Sequence, residues 1–463
     1  MKSSLRYVLN RASLTGSLAL GLVASSPLIA AETPVSWWRD VTPIFKRSCN
    51  GCHNPNKLKG EVDTSTFVGL MKPGKHGQNL IAGDPAKSLL ISSITGQEPD
   101  MPKEGDALSP QEVALITRWI QEGAKDDTPA DAYSTRLKEP PTYAQPPVIS
   151  ALDVSPDGTR LAVAGYHEVL LIDTASWALA SRLLGESPRI ESVAFSPDGR
   201  SLAVSGGAPA RFGEIQIWNV PEARQIRGLR TTTDSLFGIS WSPDGTRVAT
   251  GGADKSVRVT RISDGQELVK FENHGDWVFR TTWVAGGTRL LSASRDRAMK
   301  LIDATNGQFI DDVNKLLEPI DCMVRHPRED WAAYGGAEGG LRLYKAKENQ
   351  DRTSGNNDVN LVREFERQPG PVQSIAFSPD GTLLATGNTG TEVRVYETAT
   401  GKRRSTLPGH AGSVFALKFS PDGQRLYTAG FEGIIRVFNP ASGSLQAIFY
   451  PVPLTPVRQT AQN

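Results

Sequence analysis

Cys49-Asn50-Gly51-Cys52-His53 sets two thiols three positions apart, with an imidazole directly after the second. Thiols at that separation reach both vinyl groups of one porphyrin and can join them as thioethers, and the imidazole then falls beneath the iron. The pattern reads as a covalent attachment site for one haem c, with Cys49 and Cys52 as anchors and His53 as the proximal ligand. A bare C-x-x-C also serves thiol redox pairs and half-sites for zinc, and the adjoining histidine separates this motif from both.

An iron held from below needs a ligand above. Met101 lies 48 residues after His53, in Asp100-Met101-Pro102, where the following proline favours an extended chain that can present a thioether. Met71 and His76 are the alternatives; Met71 is more readily a packing residue, and His76 sits in a Pro-Gly-Lys-His-Gly turn. Thioether ligation raises the reduction potential relative to two histidines, which suits an electron acceptor or shuttle. Lys57, Lys59, Lys72 and Lys75 either ring the site and steer an acidic partner or are ordinary solvated loop lysines.

Two helices should position these groups. Thr42-Pro43-Ile44-Phe45 has a cap and a proline suited to a first turn, about one turn ahead of Cys49. Ser109-Pro110-Gln111-Glu112 is a capping box, followed by Val113, Ile116, Trp119 and Ile120 at helical spacing and a stop at Gly123. The chain between them reads as irregular, and the whole as a small all-α domain. Trp37 and Trp38 either cover the haem or pack the domain against the C-terminal part of the chain. From Asp40 to Ala124 the segment resembles the planctomycete-type cytochrome c domain, through Ile44-Phe45-Lys46-Arg47-Ser48-Cys49, Ala82-Gly83-Asp84-Pro85-Ala86-Lys87-Ser88-Leu89-Leu90, Met101-Pro102 and Trp119-Ile120-Gln121-Glu122-Gly123-Ala124. The resemblance implies that the methionine of the Met-Pro pair is the distal ligand.

Beyond a proline-rich stretch at 128–147, the sequence repeats. Ser-Pro-Asp-Gly ends at Gly158, Gly199, Gly245, Gly381 and Gly423, with degenerate copies near Gly287 and Glu329, so there are seven units in steps of 41 to about 52 residues. Each unit alternates as four strands around a Pro-Asp-Gly turn, the grammar of a β-propeller blade. Residues 148–452 are therefore expected to form an all-β, seven-bladed propeller. The ring closes either with 444–450 as its last strand or with 134–138 pairing there. Insertions at 207–214 and 345–360 should be exposed loops. The units resemble WD repeats: Gly409-His410 and Asn273-His274 stand where that family has Gly-His, and Trp218-Asn219, Ile302-Asp303 and Phe438-Asn439 where it has Trp-Asp. The resemblance implies that Asp254 and Asp296 occupy the turn whose aspartate bonds the repeat histidine. His167 and His326 read as structural rather than as ligands of a second cofactor, and Cys322 as an inert core thiol.

Lys and Arg number 51 against 50 Asp and Glu, a balance that gives nucleic acid no support as a partner. Residues 1–31 combine a basic start, an apolar run over 14–24 and small residues at Ala30-Ala31, which reads as an export signal rather than an anchor. The expected division is a signal at 1–31, a cytochrome c domain at 32–127, a linker at 128–147, the propeller at 148–452 and a tail at 453–463. The expected product is a periplasmic or otherwise exported monohaem carrier, not inserted in a membrane after signal removal. It would pass electrons to a redox partner protein while the propeller face docks a protein partner. A haem-based sensor or scaffold, and a redox enzyme with its active site on the propeller, are the other two readings.

Overall fold

The computed structural model describes residues 33–54, 57–129, 134–348 and 358–455. They form two compact units divided between residues 130 and 131, inside the stretch expected to link them. The expected signal at 1–31, most of the 345–360 insertion and the tail beyond 455 lie outside the described residues. Among the described residues, no helix is long and apolar enough to cross a membrane.

In the first unit the regular elements are helical: a π-turn at Trp37–Val41, then α1 (Thr42–Ser48), α2 (Phe67–Leu70), α3 (Leu89–Ile94) and α4 (Pro110–Gln121). The first helical run starts a turn earlier than Thr42 suggests. Ser36 caps it, accepting from the Arg39 N–H at 2.9 Å while its own N–H donates to Asp40 at 2.8 Å. Thr42 is already helical and its hydroxyl is buried without a partner. The early start carries Trp37 into the core, where it stacks on Trp119 at 5.1 Å and meets Phe45 edge-on at 5.6 Å. Trp37 therefore packs its own unit, while Trp38 stays at the surface under Lys46. At α4 the capping box forms as expected, Ser109 and Glu112 exchanging bonds at 3.3 and 2.9 Å, and Ile116, Trp119 and Ile120 are buried. α2 and α3 fall in chain that the sequence leaves irregular, because four and six residues are too few to show a period.

Among the described residues, the second unit forms six antiparallel sheets, one of seven strands and five of four. The long sheet holds the first two repeat units. Its 17-residue strand Leu179–Phe195 pairs with Tyr166–Asp173 through its first part and with Ser201–Ala208 through its second. The recurrent turn explains the hairpins: the Ser155 hydroxyl donates to Asp157 at 2.5 Å, accepts from the Arg160 N–H at 2.9 Å, and Gly158 takes a φ of +74°. In the degenerate copy His326 takes over the serine's part, its Nδ1 accepting from the Glu329 N–H at 3.0 Å. The insertion at 207–214 does not loop out; it lengthens the hairpin Ser201–Ala208 and Phe212–Asn219, pairing Ala208 with Phe212. The histidine of Asn273-His274 bonds Asp296 at 2.8 Å and Ser292 at 2.8 Å. Asp254 instead pairs with Arg258 at 2.7 Å, and His410 finds Thr428 at 2.8 Å and Glu432 at 3.4 Å.

The innermost strands contact one another in succession, and the last, Val414–Phe419, touches the first, Leu152–Val154. Ile149, Leu161 and Leu170 of the first repeat share one core with Tyr427, Ile435 and Val437 of the last. The last four-stranded sheet is completed by Leu445–Phe449 on Ile435–Phe438, the first of the two closures open from sequence. Residues 134–143 go elsewhere. Ser134 and Thr135 bond Glu186 at 2.9 Å each, and the Tyr143 hydroxyl donates to the fully buried Glu168 at 2.6 Å. Arg182 holds the same carboxylate at 2.6 Å and also bonds the Pro141 carbonyl at 2.7 Å. The Tyr143 carbonyl in turn accepts from the Thr455 N–H at 2.8 Å. A few residues before the first strand thus pin both ends of the ring.

Tyr143→Phe should lower the stability of the second unit by about 2 kcal/mol, the usual cost of a lost hydrogen bond to a buried charged group. A fragment beginning at 148 should be less stable still than one beginning at 134; equal urea midpoints for the two fragments would contradict the clamp. Burial, with Arg436 adding to it, pulls His410 from 6.5 to about 4. The unfolded chain then binds the extra proton as pH falls from about 6.5 to about 4, so stability declines across that window, and His410→Gln should flatten the slope in denaturation midpoints.

Candidate functional site

The first helix delivers the reactive residues as one continuous turn. Phe45 O accepts from the Cys49 N–H at 2.9 Å, and Cys49 O accepts from both the Cys52 and His53 N–H groups at 3.1 Å. Each side chain therefore leaves the same short arc of backbone. The exit is fixed by Thr64, whose N–H and hydroxyl both donate to the His53 carbonyl, at 2.9 and 3.0 Å, and by the Lys59 N–H on the Cys52 carbonyl at 3.2 Å.

Met101 comes from a different stretch and reaches the same place. Gly83 is tied to the end of α4 through the Ile120 carbonyl at 2.8 Å. Ser88 closes the following turn on the Ile81 N–H and the Asp84 carbonyl at 2.9 Å each, and starts α3. The Met101 N–H then donates to the Ser93 carbonyl at 2.9 Å, fixing the loop against α3. The Ala82 to Leu90 run is thus the bracket that holds Met101.

Two adjoining cavities meet at these groups, of about 580 and about 330 Å³, and Cys49, His53, Met101 and Pro102 line both. The larger is walled by apolar side chains, Leu70, Leu89, Leu90, Ile94 and Leu108 among them. Cys52 lines the smaller with Arg47, Lys57, Lys59 and Lys103. Neither Cys49 nor Cys52 is in a disulfide, and burial pushes the Cys49 thiol up to about 11, so it stays protonated. His53 Nδ1 is buried without a hydrogen-bond partner, so the fold does not use up the imidazole. An apolar slot with two free thiols, an uncommitted imidazole and a thioether fits a flat, largely apolar macrocycle with a metal at its centre.

Of the alternatives for the sixth position, His76 lines the larger cavity from an exposed turn, whereas Met71 packs on the unit's core and lines neither cavity. Lys57 and Lys59 stand at the rim, but Lys72 and Lys75 do not. Arg47 and Lys103 are rim cations that sequence reasoning passed over. Their nearness in sequence to Cys49 and to Met101 was the available signal. The apolar wall from α3 was also missed, although Leu89-Leu90 ends the Ala82 to Leu90 motif.

The planctomycete cytochrome C family model matches residues 49–105, a narrower span than the motifs suggest, and the WD domain, G-beta repeat model matches 224–260, 359–397 and 401–439. The chain thus joins a cytochrome c domain to WD repeats. It is 52% identical over 46 residues to an uncharacterised WD repeat-containing protein of Nostoc, covering 10% of this chain and 3% of that protein. It is 33% identical over 127 residues to protein groucho of Drosophila melanogaster, covering 26% of this chain and 16% of that one. The chain therefore spans only a small part of the length of either relative.

Ser109→Ala removes the α4 cap and should cost about 1 kcal/mol. Faster hydrogen exchange of the Ile116–Ile120 amides, with the second unit unaffected, is the expected readout.

Proposed function

We propose that the first unit is an exported, monohaem c-type cytochrome carrying out outer-sphere electron transfer, and that the WD repeats form a seven-bladed propeller on which its protein partner docks. Cys49 and Cys52 hold the porphyrin through thioether links, His53 is the proximal ligand and Met101 the distal one. The observation that carries this reading is that Cys49 and His53, from one turn, and Met101, from a distant stretch of the chain, line one apolar cavity. The bound haem supplies a one-electron couple at its iron, and no substrate bond is made or broken. The protein's part is to keep both axial ligands in place and water out. Thr64 and the Lys59 amide fix the turn that bears His53, the α3 contact fixes Met101, and the leucine wall dries the slot. Lys57, Lys59 and Lys103, set against Glu104, give the rim a positive bias suited to an acidic redox partner, while Arg47 is paired with Glu112.

The 17-residue strand supports a count of seven: as outer strand of one repeat and inner strand of the next, it lets six sheets carry seven repeats. The basic and apolar opening of the chain supports export to the periplasm or beyond, where c-type haem attachment takes place.

Protein matured with its leader should show haem c absorbance that survives denaturation, with one iron per chain; Cys49→Ser together with Cys52→Ser should lose it. Met101→Ala should lower the midpoint potential by more than about 59 mV, a tenfold change in relative ligand affinity for one electron. It should also let carbon monoxide bind the reduced protein, which the unaltered chain resists. An unchanged potential and ligand-field spectrum in Met101→Ala would refute the axial assignment.

A further inference from the structure

The two adjoining cavities of the first unit differ at their outer ends. Cys52 lines only the smaller, whereas Leu89, Leu90 and Leu108 line only the larger. In a haem the two vinyl groups and the two propionates sit on opposite edges of the ring. A vinyl edge joined to Cys49 and Cys52 therefore directs the propionates away from Cys52, into the larger cavity. Carboxylates brought there need water, hydrogen-bond donors or positive charge.

The polar side chains that line the larger cavity alone are Thr64, His76, Asn79, Ser92, Ser93 and Asp100. Four of them already donate to backbone. Thr64 donates to the His53 carbonyl at 3.0 Å and Asn79 to the Lys72 carbonyl at 2.7 Å. Ser92 and Ser93 both donate to the Leu89 carbonyl, at 2.9 and 2.8 Å. Asp100 is an acid and repels a carboxylate. His76 remains. It is the one side chain of the six that can carry a positive charge, and among the described residues its imidazole has no hydrogen bond or ion pair.

The turn that bears His76 is fixed against the cavity wall. The Gly74 N–H donates to the Gly77 carbonyl at 2.8 Å, and the Gly77 N–H donates back at 3.0 Å. The Lys75 N–H reaches the Gly60 carbonyl at 2.8 Å. A Cβ on Gly74 would stand 2.7 Å from the Val62 side chain and 2.9 Å from the Gly60 carbonyl oxygen, so the turn lies close on residues 60–62. The imidazole is thus exposed on one side and faces the cavity from a braced piece of backbone.

We propose that His76 pairs with a haem propionate and that its protonation is thereby coupled to the oxidation state of the iron. The proposal rests on the reading of the first unit as a c-type cytochrome, and it leaves the sixth position to Met101. When the redox partner's electron arrives, the site loses one positive charge, and the imidazole takes up a proton from water in partial compensation. On reoxidation the electron goes to the next partner and the proton returns to water. Histidine suits this part because its charge changes near neutral pH. The charged groups around the turn are Lys72 and Lys75 on it, Lys59 and Glu61 on the segment beneath, and Asp100 and Lys103 on the Met101 loop. Lysines and carboxylates ordinarily titrate well outside that range and add a constant offset.

The test is a redox titration of the full chain, matured with its haem, from pH 5 to pH 8. The midpoint should fall as pH rises, by at most about 59 mV per pH unit, the limit for one proton per electron. His76→Gln should flatten the profile at the low midpoint of the alkaline form, and His76→Arg should flatten it at the high midpoint of the acid form. Lys59→Gln should lower the midpoint equally at every pH. Covalent haem absorbance and resistance to carbon monoxide should persist in each variant, which separates a lost propionate contact from a lost axial ligand. A flat profile in the unaltered protein, or a slope that survives either His76 substitution, overturns the assignment and leaves the cytochrome reading standing. A matured chain without haem overturns both. Where a variant fails to mature, the profile of the unaltered protein and of the other variant still decides.

Discussion

One carbonyl organises the reactive end of this molecule. Cys49 O accepts from the amides of both Cys52 and His53, so two thiols and an imidazole emerge from a single turn. That turn exists because α1 runs straight into it through the Phe45 carbonyl, and α1 is anchored by Phe45 against Trp37 and the stacked Trp119. The aromatic core, the helix and the motif form one chain of dependence. Loosening the stack would tilt the helix and with it all three reactive side chains. Met101 is held by a second route, from α4 through Gly83 and Ser88 to α3; the two routes share α4 and meet again at the cavity.

The repeat unit is held on a different principle. No single contact dominates, because five of the turns repeat the same local arrangement of serine, aspartate and glycine, and neighbouring sheets bury the faces they share. What such a ring lacks is a natural end. Here the Tyr143 region closes it, by joining the first repeat through the buried Glu168 and Arg182 and the last through Thr455. A stretch whose five prolines read as a spacer is thus, from residue 134 onward, part of the folded structure. Proline content describes the backbone's stiffness, whereas the side chains between the prolines decide what it binds.

Legibility in the sequence followed the range of the interactions. The C-x-x-C-H turn, the α4 capping box and the Ser-Pro-Asp-Gly hairpins are bonds between residues a few positions apart, and each was visible. The early start of the first helix was not. Ser36 and Trp37 look no better as a helix start than Thr42-Pro43 until Trp119 is there to receive the indole. The 207–214 insertion likewise reads as a loop because lengthened strands and a protruding loop use similar residues. Of the two aspartates expected to bond a repeat histidine, Asp296 bonds His274 while Asp254 pairs with Arg258, and His410 bonds Thr428 and Glu432, a choice set by which side chains cross the blade.

The sequence alone determined the chemistry on offer: two thiols, an imidazole, candidate thioethers and a repeating strand-turn unit, all encoded by local spacing. Only the tertiary structure decided which of these meet. It brought Met101 to the cavity, left Met71 packed on the core away from it, and tied residues 134–143 to the ring. Those outcomes depend on contacts between residues far apart in the chain, whose free energy exists only once the intervening backbone has folded, and no local pattern records it.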